Sequence, residues 1–363
     1  MLACCIAAIA AVSCKKKAET GEPPIALVRS IIGSSSLPAH GMVAHYKAVD
    51  PSKSVFVAGS PILCESLRTS LLEADDYDNI DGKRGADGLP DFAGEVICTV
   101  VDFANVPYSV YTDAGKAEAL REVTVRNVLA AMDTLCFINE YDRSGVASKP
   151  LPKVLVMSSP YAAEYGKYDV DTLLKSLGCR LPVVYPVAIM QDKAFAAKSG
   201  SVMVGVISGE ESLSPEGYAS LVERKAAEKG LSDCGCIVFK SDIAAVDPLL
   251  AFLDSCLLAG KVRPLDAIIV DDPFADADAL RMTMRRIKAA GNPESLSYGN
   301  LVADGCTLQE ICTSVTDECF RLLRSSNLFT HNIAFPRSIE FKTVALPDST
   351  FVLTPYDNGD PLR

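Results

Sequence analysis

Four carboxylates after one apolar run are the densest group of chemically versatile side chains in the sequence. Asp271, Asp272, Asp276 and Asp278 fall within eight residues. Such a cluster can bind a cation, an amino group or the hydroxyls of a ligand. An alternative interpretation is that Asp276 and Asp278 favour the positive end of the following helix, which leaves Asp271 and Asp272 as loop residues.

The remaining polar residues of interest follow the ends of predicted strands. In an open parallel α/β sheet, loops and helix N-termini converge on the carboxyl ends of the strands, and ligands bind there. Any single serine or aspartate at such a position also fits a helix N-cap. The sequence predicts no catalytic residue and no metal ligand, and it predicts ligand-binding residues at Ser34, Ser35, Ser60, Asp102, Asn105, Ser158, Ser159, Ser208, Glu210, Asp271 and Asp272.

An acidic, glycine-containing segment spans residues 75–95. Its carboxylates are hard oxygen ligands of the kind that calcium loops use, but Ile80 breaks the required spacing, which favours a solvated acidic loop. Asp91 and Glu95 beside His40 offer an acid/base pair. An envelope hydrolase that uses these carboxylates is therefore the alternative function.

Several common catalytic and cofactor motifs are missing from the sequence. It contains no G-x-S-x-G elbow, no Walker phosphate loop and no G-x-G-x-x-G fingerprint. His40 and His45 are five residues apart, which disfavours a zinc pair on one helix face. Thirteen cysteines occur without a repeated spacing, and most are expected to be small buried hydrophobic residues. No cofactor is predicted.

The composition indicates a globular chain with an acidic surface. Of the 363 residues, 49% are hydrophobic and 22% are charged, and the formal net charge is −11. An acidic surface repels phosphate backbones, so nucleic acid is excluded as a partner. No segment beyond the N-terminus approaches the roughly 18 apolar residues of a membrane helix.

The N-terminus has the pattern of an export signal. An apolar run from Leu2 to Val12 precedes Ser13, Cys14 and three lysines. The run is too short to span a bilayer and suits a signal peptide. It resembles a bacterial lipobox, which implies lipidation of Cys14 and location in the cell envelope, with a lipid anchor in a membrane, either facing the periplasm or in the outer membrane. The alternative is a buried N-terminal helix that contains Cys14.

The elements that must position these residues alternate between strands and amphipathic helices, as in parallel βαβ units. We predict a signal peptide at 1–13, a lipidated tether at 14–24, an N-terminal α/β domain at 25–197 and a C-terminal α/β domain at 198–363, whose final segments cross back. The strands predicted in the first domain are Ile25–Ile32, Ser54–Gly59, Val96–Phe103, Lys153–Ser158 and Pro182–Ile189. In the second domain they are Val202–Ser208, Cys236–Lys240, Ala267–Asp271 and a shorter one near Ser297–Val302, which precedes a helix from Leu308.

The second domain resembles that of type I periplasmic binding proteins and their repressor relatives. The resemblance is carried by Val204–Gly209, by Glu216, Gly217 and Tyr218 at a helix start, and by Leu265–Asp272. It implies two doubly wound Rossmann-like domains with parallel sheets, in which a strand delivers a polar pair, here Asp271 and Asp272, to the cleft.

The function expected on this basis is that of an envelope lipoprotein that binds a small polar ligand in an interdomain cleft, for solute binding or sensing. Its expected partners are the small-molecule ligand, the membrane through the lipid anchor, and a transporter or receptor. An enzyme is expected less than a binding protein. A surface-interaction lipoprotein with an unoccupied cleft is a third interpretation.

Overall fold

The computed structural model describes residues 23–49, 54–139, 141, 144–196, 198–231, 233–241, 247–260, 263–330, 333–346 and 351–356. Cys14 and the segments predicted as a signal peptide and most of the tether lie outside these residues. None of the helices within these ranges is long and apolar enough to cross a membrane.

The described chain alternates between helices and strands. The helices are α1 (Ala26–Gly33), α2 (Pro38–Ala48), α3 (Pro61–Glu73), α4 (Ser109–Asp113), α5 (Ala117–Met132), α6 (Lys167–Ser176), α7 (Pro186–Phe195), α8 (Pro215–Glu228), α9 (Pro248–Ala259), α10 (Ala277–Lys288), α11 (Pro293–Tyr298) and α12 (Ile311–Ser325). The strands are β1 (Ser54–Gly59), β2 (Val96–Val101), β3 (Leu135–Phe137), β4 (Val146–Ser148), β5 (Pro152–Ser158), β6 (Val183–Val184), β7 (Ser201–Ser208), β8 (Asp233–Lys240), β9 (Leu265–Asp271), β10 (Val302–Glu310), β11 (Arg337–Ala345) and β12 (Phe351–Pro355).

The chain divides into two compact units. The discontinuous unit comprises Gly21–Pro186 and Val315–Arg363, and the inserted unit comprises Val187–Ser314. The sequence predicted the division near residue 197, with final segments that cross back. The fold is thus a two-domain mixed α/β fold whose sheets are mainly parallel.

The discontinuous unit is built on a six-stranded sheet in the order β12-β11-β2-β1-β5-β6. Strand β12 runs antiparallel to β11, whereas the other neighbours are parallel. The central strands β1 and β5 are buried along their whole length. Because helices cover both faces of a parallel sheet, its strands are continuous apolar runs rather than alternating ones, which is why the sequence identified these two strands.

The inserted unit has a four-stranded parallel sheet in the order β10-β9-β7-β8. Its core joins strand residues such as Ile207 and Ile268 to helix residues such as Phe252 and Leu280, all of them buried. Helix starts are well marked here, because Ser214, Asp247 and Asp276 each accept hydrogen bonds from backbone N–H groups of the helix that follows.

Three predictions of secondary structure are wrong. The segment predicted as strand Ile25–Ile32 is helix α1, in which Val28 and Ile31, three residues apart, point to the core. Strand Pro182–Ile189 shrinks to the two residues of β6, because Pro186 starts helix α7. The strand predicted near Ser297–Val302 is occupied by α11 and a 3-10 turn, and β10 follows it.

Candidate functional site

The carboxyl ends of three neighbouring strands meet at one edge of the discontinuous unit's sheet. The backbone N–H of Ser60 donates to the carbonyl of Ser158 at 3.3 Å, and that of Asp102 donates to the carbonyl of Gly59 at 2.8 Å. Gly59 has a φ of +142°, and a Cβ there would lie 2.8 Å from Ser158 Oγ, so glycine is required. The structure therefore brings Ser60, Asp102 and Ser158 together.

Asp102 is a buried acceptor whose hydrogen-bonding capacity is filled by the protein. Its Oδ1 accepts from Asn105 Nδ2 at 2.8 Å and from Thr343 Oγ1 at 2.7 Å. Its Oδ2 accepts from Tyr108 OH at 2.9 Å and from Asn127 Nδ2 at 2.8 Å. Since two carboxylate oxygens offer about four acceptor positions, Asp102 organises the loop after β2 and has no position left for a ligand.

The space beside Asp102 within this unit is small. A cavity of about 10 Å³ is bounded by Asn127, Ser159 and Tyr161, among others. A volume of this size holds about one water molecule. Asn127 Oδ1 is buried without a hydrogen-bond partner among the described residues. This cavity has room for a water molecule but not for a solute.

Ser34 and Ser35 do not follow a strand, since they come directly after helix α1. Ser34 Oγ lies 2.8 Å from Ser36 Oγ in an exposed contact. Their placement at a strand end was wrong because the preceding apolar run is helical.

The inserted unit has its own group of polar residues at the carboxyl edge of its sheet. Ser208 and Asp271 end the neighbouring strands β7 and β9 and are paired in register. The N–H of Gly209 donates to the carbonyl of Asp271 at 2.9 Å, which continues the pairing past the strand. Ser208 Oγ donates to the carbonyl of Phe239 at 3.3 Å. Glu210, two residues after Ser208, is exposed.

Asp271 is the most strongly perturbed carboxyl group at this edge. Burial raises its pKa from 3.8 to about 6. A hydrogen bond from the Tyr218 hydroxyl to Oδ2, at 2.5 Å, opposes that rise, and the charge of Asp272 adds to it. A carboxyl group with a pKa this close to neutral changes its protonation state under physiological conditions.

Tyr218 is a site residue that sequence reasoning missed. Its ring is buried, and it lies on α8, whose first turn is fixed by Ser214, which accepts from the N–H of Gly217 at 3.2 Å. Its position four residues after a cap serine, on the helix that follows β7, was a usable signal. Tyr218 was predicted only as part of a motif at a helix start.

The four clustered carboxylates divide between two roles. Asp276 caps α10, since its Oδ1 accepts from the N–H groups of Asp278 and Ala279. Asp278 is exposed and pairs with Arg281 at 2.9 Å. Asp276 and Asp278 thus belong to the start of α10, as the alternative interpretation predicted, while Asp271 and Asp272 lie at the edge of the sheet.

The acidic segment 75–95 uses its carboxylates to hold its own backbone. Asp75 accepts from the N–H groups of Asp87 and Gly88, and Asp91 accepts from those of Asp76 and Tyr77. Among the described residues no group of three or more acidic, histidine or cysteine side chains is arranged to hold a metal ion.

Glu95 and His40, which were predicted to form part of an acid/base site, each have a different partner. Glu95 forms a buried ion pair with Lys153, with Nζ 3.0 Å from each carboxylate oxygen. His40 Nδ1 instead contacts the carbonyl of Ile31 at 2.9 Å. The hydrolase hypothesis is therefore wrong, because its carboxylates are committed to structural contacts.

The free cysteines do not favour thiolate chemistry. Burial raises the pKa of Cys98 and of Cys236 to about 12, and that of Cys256 and of Cys306 to about 11. A thiol is a nucleophile or base only as the thiolate. These cysteines behave as small apolar residues.

No family model matches the chain, and no curated protein matches it. Several solved structures are similar to it. A glutamate racemase isoform from Bacillus anthracis is 14% identical, with 82% of this chain and 90% of that chain covered and a TM-score of 0.47. The enzyme from Francisella tularensis in complex with D-glutamate is 12% identical, with 82% and 90% covered and a TM-score of 0.45. That from Thermus thermophilus in complex with β-chloro-D-alanine is 14% identical, with 83% and 91% covered and a TM-score of 0.44.

These matches correct the functional expectation. The predicted resemblance to type I periplasmic binding proteins is wrong, because the similar solved structures are glutamate racemases. The prediction of a transport or sensing lipoprotein that binds a solute in an interdomain cleft is wrong for the same reason. At 12–14% identity and with TM-scores below 0.5, these matches assign no activity to this chain. Envelope location and the expected partners stay predictions.

Proposed function

We propose that the chain is an enzyme that transfers a proton between Asp271 and a small polar substrate at the carboxyl edge of the inserted unit's sheet. The observation that carries the proposal is the pKa of Asp271, which burial raises to about 6. The ionised carboxylate accepts a proton from the substrate, and the resulting carboxylic acid returns it to the substrate or loses it to water.

Tyr218 is the positioning residue for this carboxyl group. Its hydroxyl donates to Oδ2, so Oδ1 is the oxygen that we assign to the substrate. The hydrogen bond also lowers the pKa of Asp271, so it keeps part of the population ionised near neutral pH.

Asp272 indicates which charge the substrate carries. It lies next to Asp271 and is mostly buried, with one oxygen accepting from the N–H of Phe274 at 3.1 Å. A second carboxylate at the edge favours a substrate with a cationic amino group. Gly209, directly after β7, allows the backbone there to lie close to Asp272, because a Cβ at this position would lie 3.3 Å from Asp272 Oδ1. The substrate class is therefore a small molecule that carries an ammonium group, such as an amino acid.

Hydrogen exchange tests the proposal. The full chain is incubated in D2O with single amino acids, including both enantiomers of glutamate, and loss of the α-proton signal is followed by NMR. We expect exchange with at least one amino acid, and a decrease of about 100-fold or more in Asp271→Asn, because general acid–base catalysis contributes roughly 10² to 10⁴ in rate.

Two further variants separate catalysis from folding. Tyr218→Phe should shift the acid limb of the pH profile to higher pH, because the hydrogen bond that lowers the pKa of Asp271 is lost. Asp304→Asn, which changes an exposed carboxylate of the same unit, should exchange at the wild-type rate. Undiminished exchange in a folded Asp271→Asn variant, or no exchange with any amino acid, would contradict the proposal.

A further inference from the structure

A second cavity lies in the discontinuous unit. Its volume is about 460 Å³, and it is bounded by α2, α5, the β3–β4 hairpin and β12. Its apolar walls include Met42, Leu129, Leu135, Phe137, Val146 and Phe351. Pockets for small molecules have volumes of roughly 300 to 1,000 Å³ and predominantly apolar linings, which is the character of this one.

The arginine of the lining is already matched by the protein. Arg126 donates to Glu122 Oε1 from Nε at 2.9 Å and from Nη2 at 2.6 Å. The carboxylate of Asp133 accepts from the N–H of Leu135 at 3.2 Å. An anionic ligand would lose water without gaining an unmatched cation, and the charge of Asp133 would repel it. The mainly apolar lining therefore favours an uncharged occupant over an anion.

Polar neighbours on the wall are also satisfied. The thiol of Cys136 donates to the carbonyl of Ala147 at 3.7 Å, and burial raises its pKa, so it lines the cavity as a neutral, weakly polar group. Leu135 and Val146, in contrast, are 47% and 55% exposed. A ligand that covers these side chains removes apolar surface from water, which is the main favourable term in such binding.

The shape favours a small molecule over a second protein chain. The surface inside the cavity is much smaller than the roughly 800 Å² that each partner buries in a stable protein interface. Two of its walls are helices packed on each other, α2 and α5, so little ordering is needed on binding.

We propose that this cavity is a binding site for an uncharged, apolar small molecule, such as a hydrocarbon chain or ring with at most one neutral polar group. The site is independent of Asp271, which belongs to the inserted unit.

Fluorescence of N-phenyl-1-naphthylamine, an uncharged probe that brightens in apolar surroundings, tests this site on the full chain. We expect saturable binding of one probe per chain. Decan-1-ol should displace the probe, and its charged counterpart decanoate should do so at least ten-fold less effectively.

Variants locate the binding. Ala130→Phe places a ring in the cavity and should abolish probe binding, whereas Ala119→Phe, part-exposed on the same helix but outside the lining, should bind as wild type. Leu135→Gln at the exposed rim should weaken binding without affecting folding. Asp271→Asn should leave binding unchanged.

The proposal would be overturned by the absence of saturable binding by the folded chain, by equal binding by Ala130→Phe, or by displacement by decanoate that is as effective as displacement by decan-1-ol. Sedimentation of the wild type as a dimer that Leu135→Gln dissociates would assign the surface to a second copy instead, which also contradicts it.

Discussion

Replacement of Asp271 by asparagine should make the protein more stable at neutral pH. The pKa of this carboxyl group is about 6 in the folded chain, against an ordinary value of 3.8. Between about pH 4 and pH 6 the unfolded chain has released this proton while the folded chain still holds it. Stability from this group is therefore complete below about pH 4 and is lost as the pH rises through about 6.

The size of the effect on the free energy of unfolding follows from the shift in the pKa of Asp271. A difference of about two pKa units corresponds to about 3 kcal/mol, since one unit is 1.36 kcal/mol. Asparagine does not titrate and keeps an oxygen that accepts from the Tyr218 hydroxyl. The free energy of unfolding of Asp271→Asn minus that of the wild type should thus rise by about 2.5 kcal/mol between pH 4 and pH 7.

Urea unfolding followed by circular dichroism at several pH values measures this difference, and the absence of Trp makes that signal preferable to intrinsic fluorescence. Glu210→Gln, which removes an exposed carboxylate near the same strand ends, is the control and should follow the wild-type curve. A difference that stays constant from pH 4 to pH 7, or falls with rising pH, refutes the assignment of a raised pKa to Asp271.

Two further predictions concern buried carboxylates of the discontinuous unit. Asp102→Ala should lower the free energy of unfolding by at least about 3 kcal/mol, because four donors lose their acceptor; urea midpoints check this, and a loss below about 1 kcal/mol would contradict it. Lys153→Met should cost about 3 to 5 kcal/mol, because Glu95 is left buried and unpaired. Adding Glu95→Gln to Lys153→Met should recover part of that loss in a double-mutant cycle, and additive losses would argue against the ion pair.

The parallel strands and their polar ends could be predicted because the relevant signals are local. β1, β5, β7 and β9 are compact runs rich in β-branched residues, and each ends in Ser or Asp or is followed directly by one of them. Parallel pairing then brings the ends of adjacent strands together without further information. Asp271 was identified on this basis and from the cluster of carboxylates around it.

The features that could not be predicted depend on contacts between residues that are distant in the chain. Helix α1 was predicted as a strand because a short apolar run fits either structure until the buried face is known. The roles of Asp102 and Glu95 could not be assigned, since their partners Thr343 and Lys153 are distant in the chain. The pKa of Asp271 required the depth of burial and the contact with Tyr218, neither of which has a local pattern.

The order of strands in the discontinuous unit has a consequence for synthesis on the ribosome. β2 pairs on one side with β1, which is made before it, and on the other with β11, which is made more than two hundred residues later. A nascent chain therefore carries the backbone donors and acceptors of β2 along an open edge while the whole inserted unit is translated. Open edges recruit other strands, so the growing polypeptide needs protection there until β11 emerges.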